Sequence, residues 1–205
     1  MILSTSSVSI MHFADRMFVA WYSQDSLAAS LPAAIASFTF LAFFIGTGAY
    51  VSTFVAQYCG AQREHRIGPA VWQGIYFGLA AMVFMWIIYP LAQPIMNLAG
   101  HAPSIRILEV GYFKILVLGG GFVVLQTVLS GFYTGRGKMR TVMTVNFIIC
   151  SVNVALNYCW IFGHLGFPAW GLLGAGWATV IAQALGVVIM ACLFFSPSNR
   201  RRFRT

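Results

Sequence analysis

Charge is scarce in this sequence. Asp, Glu, Lys and Arg together fill 8% of its 205 positions, while hydrophobic residues fill 60%. A soluble domain carries roughly 25% charged residues, because its surface has to be wetted. So little charge cannot cover a water-facing exterior, which excludes an ordinary soluble domain and leaves lipid as the solvent.

Other absences narrow the class further. The four cysteines, Cys59, Cys150, Cys159 and Cys192, form no CxxC pair, and no histidine stands at zinc-ligand spacing. They read as packing residues, with no metal site. Alternating apolar and polar strands are missing, which argues against a barrel. The stretch Met1–Ser9 is serine-rich and has no basic residue, so it does not read as a cleaved signal peptide. No Pro/Ser/Gly-rich linker divides the chain, and no internal repeat is evident. Gly171, Gly174 and Gly176 resemble a nucleotide fingerprint only in spacing, because no strand precedes them. No Ser/His/Asp arrangement or phosphate loop stands out, so the sequence does not read as an enzyme and implies no cofactor.

What the chain does have is six apolar stretches, running roughly over 2–22, 32–58, 69–97, 105–133, 139–163 and 170–195, each able to cross a bilayer as a helix of about 20 residues. Short connections make consecutive helices antiparallel neighbours. The predicted fold class is an all-α integral membrane protein, a single lobe of six transmembrane helices over 1–205. Phe167-Pro168 and the glycines after it form an external turn. Gly119-Gly-Gly121 and the other glycines permit close helix approach.

The few charges set the orientation. Arg63, Arg66, Arg136, Lys138, Arg140, Arg200, Arg201, Arg202 and Arg204 fall on one side of a six-crossing chain, leaving only Arg16, Arg106 and Lys114 of the twelve basic residues elsewhere. The positive-inside rule assigns the basic side to the cytoplasm, with both termini, in a cell (inner) membrane protein. The net charge of +8 is therefore a topology signal rather than a nucleic-acid surface. The arginine-rich tail from Asn199 to Thr205 reads as a stop-transfer cluster or as a contact for anionic lipid.

Polar groups inside the apolar runs are the candidates for chemistry. Asp15 lies in the outer half of the first helix, where a charge near mid-bilayer costs on the order of 2.5–3.5 kcal/mol on insertion scales. Burial favours its neutral form, and a bound cation or a wet cavity favours the carboxylate. An acid poised between these states can exchange a proton or sodium for a cationic substrate. Pairing with His12, one turn back, is the structural alternative. Asn153 and Asn157 stand four residues apart on one face of the fifth helix, able to serve a cation or to glue helices together. Gln57, Tyr58, Gln73, Gln126, Thr127, Asn146 and Gln183 are further polar positions that could line a cavity.

Three stretches carry a family resemblance. They are Asp15-Arg-Met-Phe-Val with Leu27-Ala-Ala-Ser30; Val55-Ala-Gln-Tyr-Cys-Gly-Ala-Gln62; and Asn153-Val-Ala-Leu-Asn157 followed by Ile161-Phe-Gly163, Gly166-Phe-Pro168 and Gly171-Leu-Leu-Gly-Ala-Gly-Trp-Ala-Thr179. In this order and spacing the chain resembles the N-terminal half of the multidrug and toxic compound extrusion (MATE) family. The resemblance implies one lobe of a twelve-helix exporter of small, cationic organic compounds, driven by protons or sodium. It makes Asp15 the ion-coupling acid and Asn153 and Asn157 polar residues of the same cation site, with Gln57, Tyr58 and Gln126 as further lining. Two departures are visible. Arg16 follows the acid where many members carry a small or polar residue, and the second lobe has no counterpart in these 205 positions. A truncated or split gene product, with the missing lobe or a second chain as partner, is the resulting expectation. A lipid-linked precursor flippase and a non-transporting fragment are the alternatives. Only Arg16 and Lys114 could offer the cavity charge that a flippase needs to hold pyrophosphate.

Overall fold

The computed structural model describes the backbone of residues 2–203 and 205, and side chains from Met11 onward apart from those of His12 and Arg204. The side chains of Met1–Ile10, His12 and Arg204 therefore lie outside the described residues. Among those described the chain is helical throughout, without a strand. It forms α1 (Ile2–Tyr22), α2 (Gln24–Gly60), α3 (Ile67–Ile88), α4 (Ala92–Asn97), α5 (Pro103–Thr134), α6 (Met139–Phe162), α7 (Gly171–Phe194) and α8 (Pro197–Phe203). Five stretches are long and apolar enough to cross a membrane: α2, α3 with α4, α5, α6 and α7. With its 21 residues, α1 is comparable in length. This is the all-α membrane fold that the composition demands.

Two helices differ from their expected extents, and proline explains both. The second apolar run opens at Pro32 in the sequence, but α2 begins at Gln24, capped by the Ser23 side chain, which accepts from the Ser26 amide. Asp25 adds a negative charge to the first turn, where the helix dipole favours it. The cap and the Leu/Ala-rich first turns carry the helix through Pro32, as transmembrane helices tolerate. The third run breaks instead. Pro90 supplies no amide proton, the Tyr89 amide donates to the Trp86 carbonyl in a tightened turn, and Tyr89–Leu91 forms a 3-10 turn between α3 and α4.

Burial is concentrated on α5, the central helix. Its triplet Gly119-Gly-Gly121 faces three neighbours in succession. A Cβ on Gly119 would strike Val180 of α7, one on Gly120 would come within 3.0 Å of Leu41 of α2, and one on Gly121 would lie 2.7 Å from the Met82 Cα of α3. Small residues let these backbones close up where apolar burial gives no drive between helices in lipid.

The basic end of the bundle is tied together by α8. Arg202 clasps Glu64 through two bonds of 2.7 and 2.5 Å. The Arg136 guanidinium stands 4.3 Å from the Phe132 ring centre and 4.2 Å from that of Phe203, with Asn199 as its hydrogen-bond acceptor at 3.4 Å. The connections after α2 and α5 and the C-terminal helix thus share one end, as the charge pattern requires.

Candidate ion and substrate site

The α1 helix brings Asp15 against α6, two turns before α1 ends at Tyr22. That end is fixed by a close approach: the Tyr22 ring lies where a side chain on Gly171 would stand, at the start of α7, and Gly171 itself has φ +54. Left-handed backbone of this kind suits glycine. The α6 helix ends in the same manner on Gly163, with φ 76. Both turns set the ends of α1 and α6 beside the start of α7, and Asp15 lies two turns further in.

The spacing of Asn153 and Asn157 puts both on the buried face of α6, each with 0% of its surface exposed. The Asn157 amide nitrogen donates to the Asp15 carboxylate and, at 3.1 Å, to the side-chain oxygen of Asn153. The Asn153 amide donates onward to the Thr179 hydroxyl of α7 at 3.3 Å, and Thr179 donates to the Ala175 carbonyl at 3.0 Å. A chain of hydrogen bonds therefore joins the acid on α1 through α6 to α7, with Asn157 donating in both directions. Its one buried loose end is the side-chain oxygen of Asn157, which no group among the described residues engages. Carboxylate, amide and hydroxyl oxygens together form a donor set suited to a hard cation.

Asp15 also faces a cavity of about 1100 Å³ bounded by α1, α2, α5, α6 and α7. Much of the wall is apolar, from residues such as Phe38, Leu41 and Ile149, and Gln126, Asn146 and Gln183 punctuate it with amides. This combination of greasy wall, few polar groups and one acid fits an amphipathic cation. Arg16 lines the same cavity and makes no ion pair with Asp15 among the described residues. Lys114 does not line it, and lies 5.3 Å from the centre of the Tyr89 ring.

The structure thus brings Asp15, Asn153 and Asn157 into one network and sets Gln126 in the wall of the adjoining cavity. Gln57 and Tyr58 stand apart, near the basic end of α2. Gln57 is exposed, Tyr58 packs on the buried cluster around Phe132 and Phe194, and neither lines the cavity. Two residues escaped the sequence reading. Thr179 closes the hydrogen-bond chain, and its only signal was its place at the end of the glycine-rich stretch. Glu109 is fully buried on α5 and meets Nδ1 of His101 at 2.6 Å. An acid inside an apolar run was the available sign.

Comparison with known proteins gives the family and the fold. The MatE family model matches residues 1–159. A probable multidrug resistance protein NorM of Bacillus cereus is 33% identical over 136 residues, which are 65% of this chain and 30% of that protein. The multidrug resistance protein MdtK of Klebsiella pneumoniae is 30% identical over 182 residues, 87% of this chain and 39% of its own. The chain therefore spans well under half the length of these relatives. Among solved structures, the outward-facing conformation of a multidrug resistance MATE family transporter superposes with a TM-score of 0.88 at 22% identity, covering 97% of this chain and 44% of that one. A MOP superfamily transporter from Pyrococcus furiosus gives a TM-score of 0.83 at 20% identity, covering 96% and 43%. These two likenesses establish a shared fold.

Proposed function

The chain belongs to the MatE family of multidrug efflux transporters, and from that premise we propose that it forms one lobe of an antiporter exporting small organic cations against an inward flow of protons or sodium. The supporting observation is the Asp15–Asn157 hydrogen bond at the cavity wall.

Asp15 can carry the exchange because proton, metal cation and organic cation all compete for one carboxylate. In its charged form it attracts a cation, and the Asn157 amide helps to hold that charge in a poorly hydrated place. A proton taken up there cancels the charge, and the organic cation loses its counter-ion. For sodium, the Asp15 carboxylate and the Asn153, Asn157 and Thr179 oxygens would supply the ligands, with the unengaged Asn157 oxygen ready to turn to the ion. Occupancy of the chain also ties α1 to α6 and α7, so loading the acid can bias the relative positions of these helices.

Alternating access needs a second wall for the cavity. A second lobe, on the same polypeptide or on a partner chain, would supply it. The basic end then faces the cytoplasm with both termini, in the cell (inner) membrane. The test is export by cells carrying the Asp15→Asn variant in the whole protein. Abolished export with normal membrane insertion is expected; undiminished resistance to a cationic drug removes Asp15 from the mechanism.

A further inference from the structure

Several polar groups on the cavity wall are already engaged. The hydroxyls of Ser37, Ser52, Thr127, Thr134 and Thr179 each donate to a carbonyl of their own helix, so their protons are already committed. Asp15 is held by Asn157. Gln126 differs from all of these. It is 8% exposed, it lines the cavity, and neither its side-chain oxygen nor its amide nitrogen is engaged by any group among the described residues. A buried polar atom left in that condition costs about 1–3 kcal/mol, so the amide has reason to take a ligand.

Its surroundings are close-packed on the α7 side, so a ligand has to come from the cavity that Gln126 lines. Gly186 of α7 stands opposite, and a Cβ there would lie 3.3 Å from the Gln126 oxygen while pressing on Ile149 of α6. Glycine at this point lets Gln126 and Ile149 pack closely against α7 where α5, α6 and α7 meet. Gln183, nearly one turn before Gly186 on α7, and Asn146 on α6 line the same cavity. A side-chain amide offers one acceptor beside donors, fixed in one plane. Its complement is a neutral group presenting a donor beside an acceptor.

We propose that Gln126 is a second binding subsite of the cavity, distinct from Asp15, which takes a primary carboxamide or lactam carried by the transported cation. The proposal rests on the export reading above. Gln126 accepts from the ligand N–H and donates to the ligand carbonyl, so two hydrogen bonds close a planar pair. Both partners are neutral, so the pair forms in an apolar recess without the desolvation cost of buried ions. Selectivity follows from what an ill-matched ligand leaves behind: an analogue without the amide buries the glutamine unpaired, and sites of this kind discriminate strongly.

The test uses the protein as its gene encodes it, in lipid nanodiscs, and two triphenylphosphonium probes with equal arms. One arm ends in a carboxamide and the other in an isosteric isopropyl group. Calorimetric titration of the wild type is expected to show about tenfold tighter binding of the carboxamide probe, the value of one or two neutral hydrogen bonds. Gln126→Leu is expected to abolish that preference. Equal affinities in the wild type overturn the proposal without any variant, and so does a preference that survives in Gln126→Leu. If the wild type binds neither phosphonium cation, the export reading itself fails, an outcome separate from equal binding of both.

Discussion

Asn157 binds Asp15 across 142 residues of sequence, joining the first helix of the lobe to the fifth of its six long helices. The contact places the only described acid on the cavity wall at one end of a hydrogen-bond chain whose other members, Asn153 and Thr179, need no charge of their own.

Removing the amide leaves that acid without its described partner. Asn157→Ala is expected to lower the stability of the purified protein by about 1–3 kcal/mol, the cost of an abandoned buried hydrogen bond. Thermal unfolding in detergent measures it. Asn153→Ala, one step further from the acid, should cost less.

The central glycines make a separate claim about packing. Gly121→Ala pushes a methyl group against the Met82 backbone, which cannot turn aside as a side-chain tip would. A loss of about 1–3 kcal/mol is expected from such overpacking. Gly46→Ala meets nothing within 4 Å, and its melting temperature should stay at or above that of the wild type.

At the basic end, the Arg202 hydrogen bond holds the Glu64 carboxyl below its ordinary range. A depressed carboxylate stabilises the docked state at every pH above its unfolded value and loses that effect as pH falls through the folded one. Hydrogen-exchange protection of the α8 amides should therefore be constant near neutral pH and decline only under acid conditions below the usual carboxylate range. Glu64→Gln is expected to expose α8 at neutral pH and to remove this acid-dependent change.

Orientation can be read with a membrane-impermeant thiol reagent on intact cells. Leu98→Cys, at the turn between α4 and α5 and 89% exposed, is expected to react from outside. Arg63→Cys, after α2, should react only once the membrane is opened. The reverse pattern would invert the topology.

Much of this fold was legible because lipid imposes a simple rule: a stretch of about 20 apolar residues must satisfy its own backbone, and only a helix or a closed barrel does so. The helix ends were less legible, since Pro32 and Pro90 look alike in sequence. A good cap and Ala/Leu-rich turns carry α2 past the first, whereas the second breaks α3 from α4. The meeting of polar residues inside the bundle was legible at Asp15, Asn153 and Asn157, because each is costly in lipid. Placement was not legible at Gln57 and Tyr58, which share the composition of cavity residues but sit at the wrong height on α2. Nor did cost reveal Thr179, because a threonine that can satisfy itself within its own helix gives no sign of a second role.

The most direct test is a titration of cationic-dye binding to the whole protein against pH and sodium, in the wild type and in Asp15→Asn. Dye affinity in the wild type should fall as protons or sodium accumulate, and the dependence should vanish in the variant. A wild-type affinity indifferent to both ions, or an Asp15→Asn protein with the same ion dependence, would contradict the assignment of Asp15 as the coupling acid.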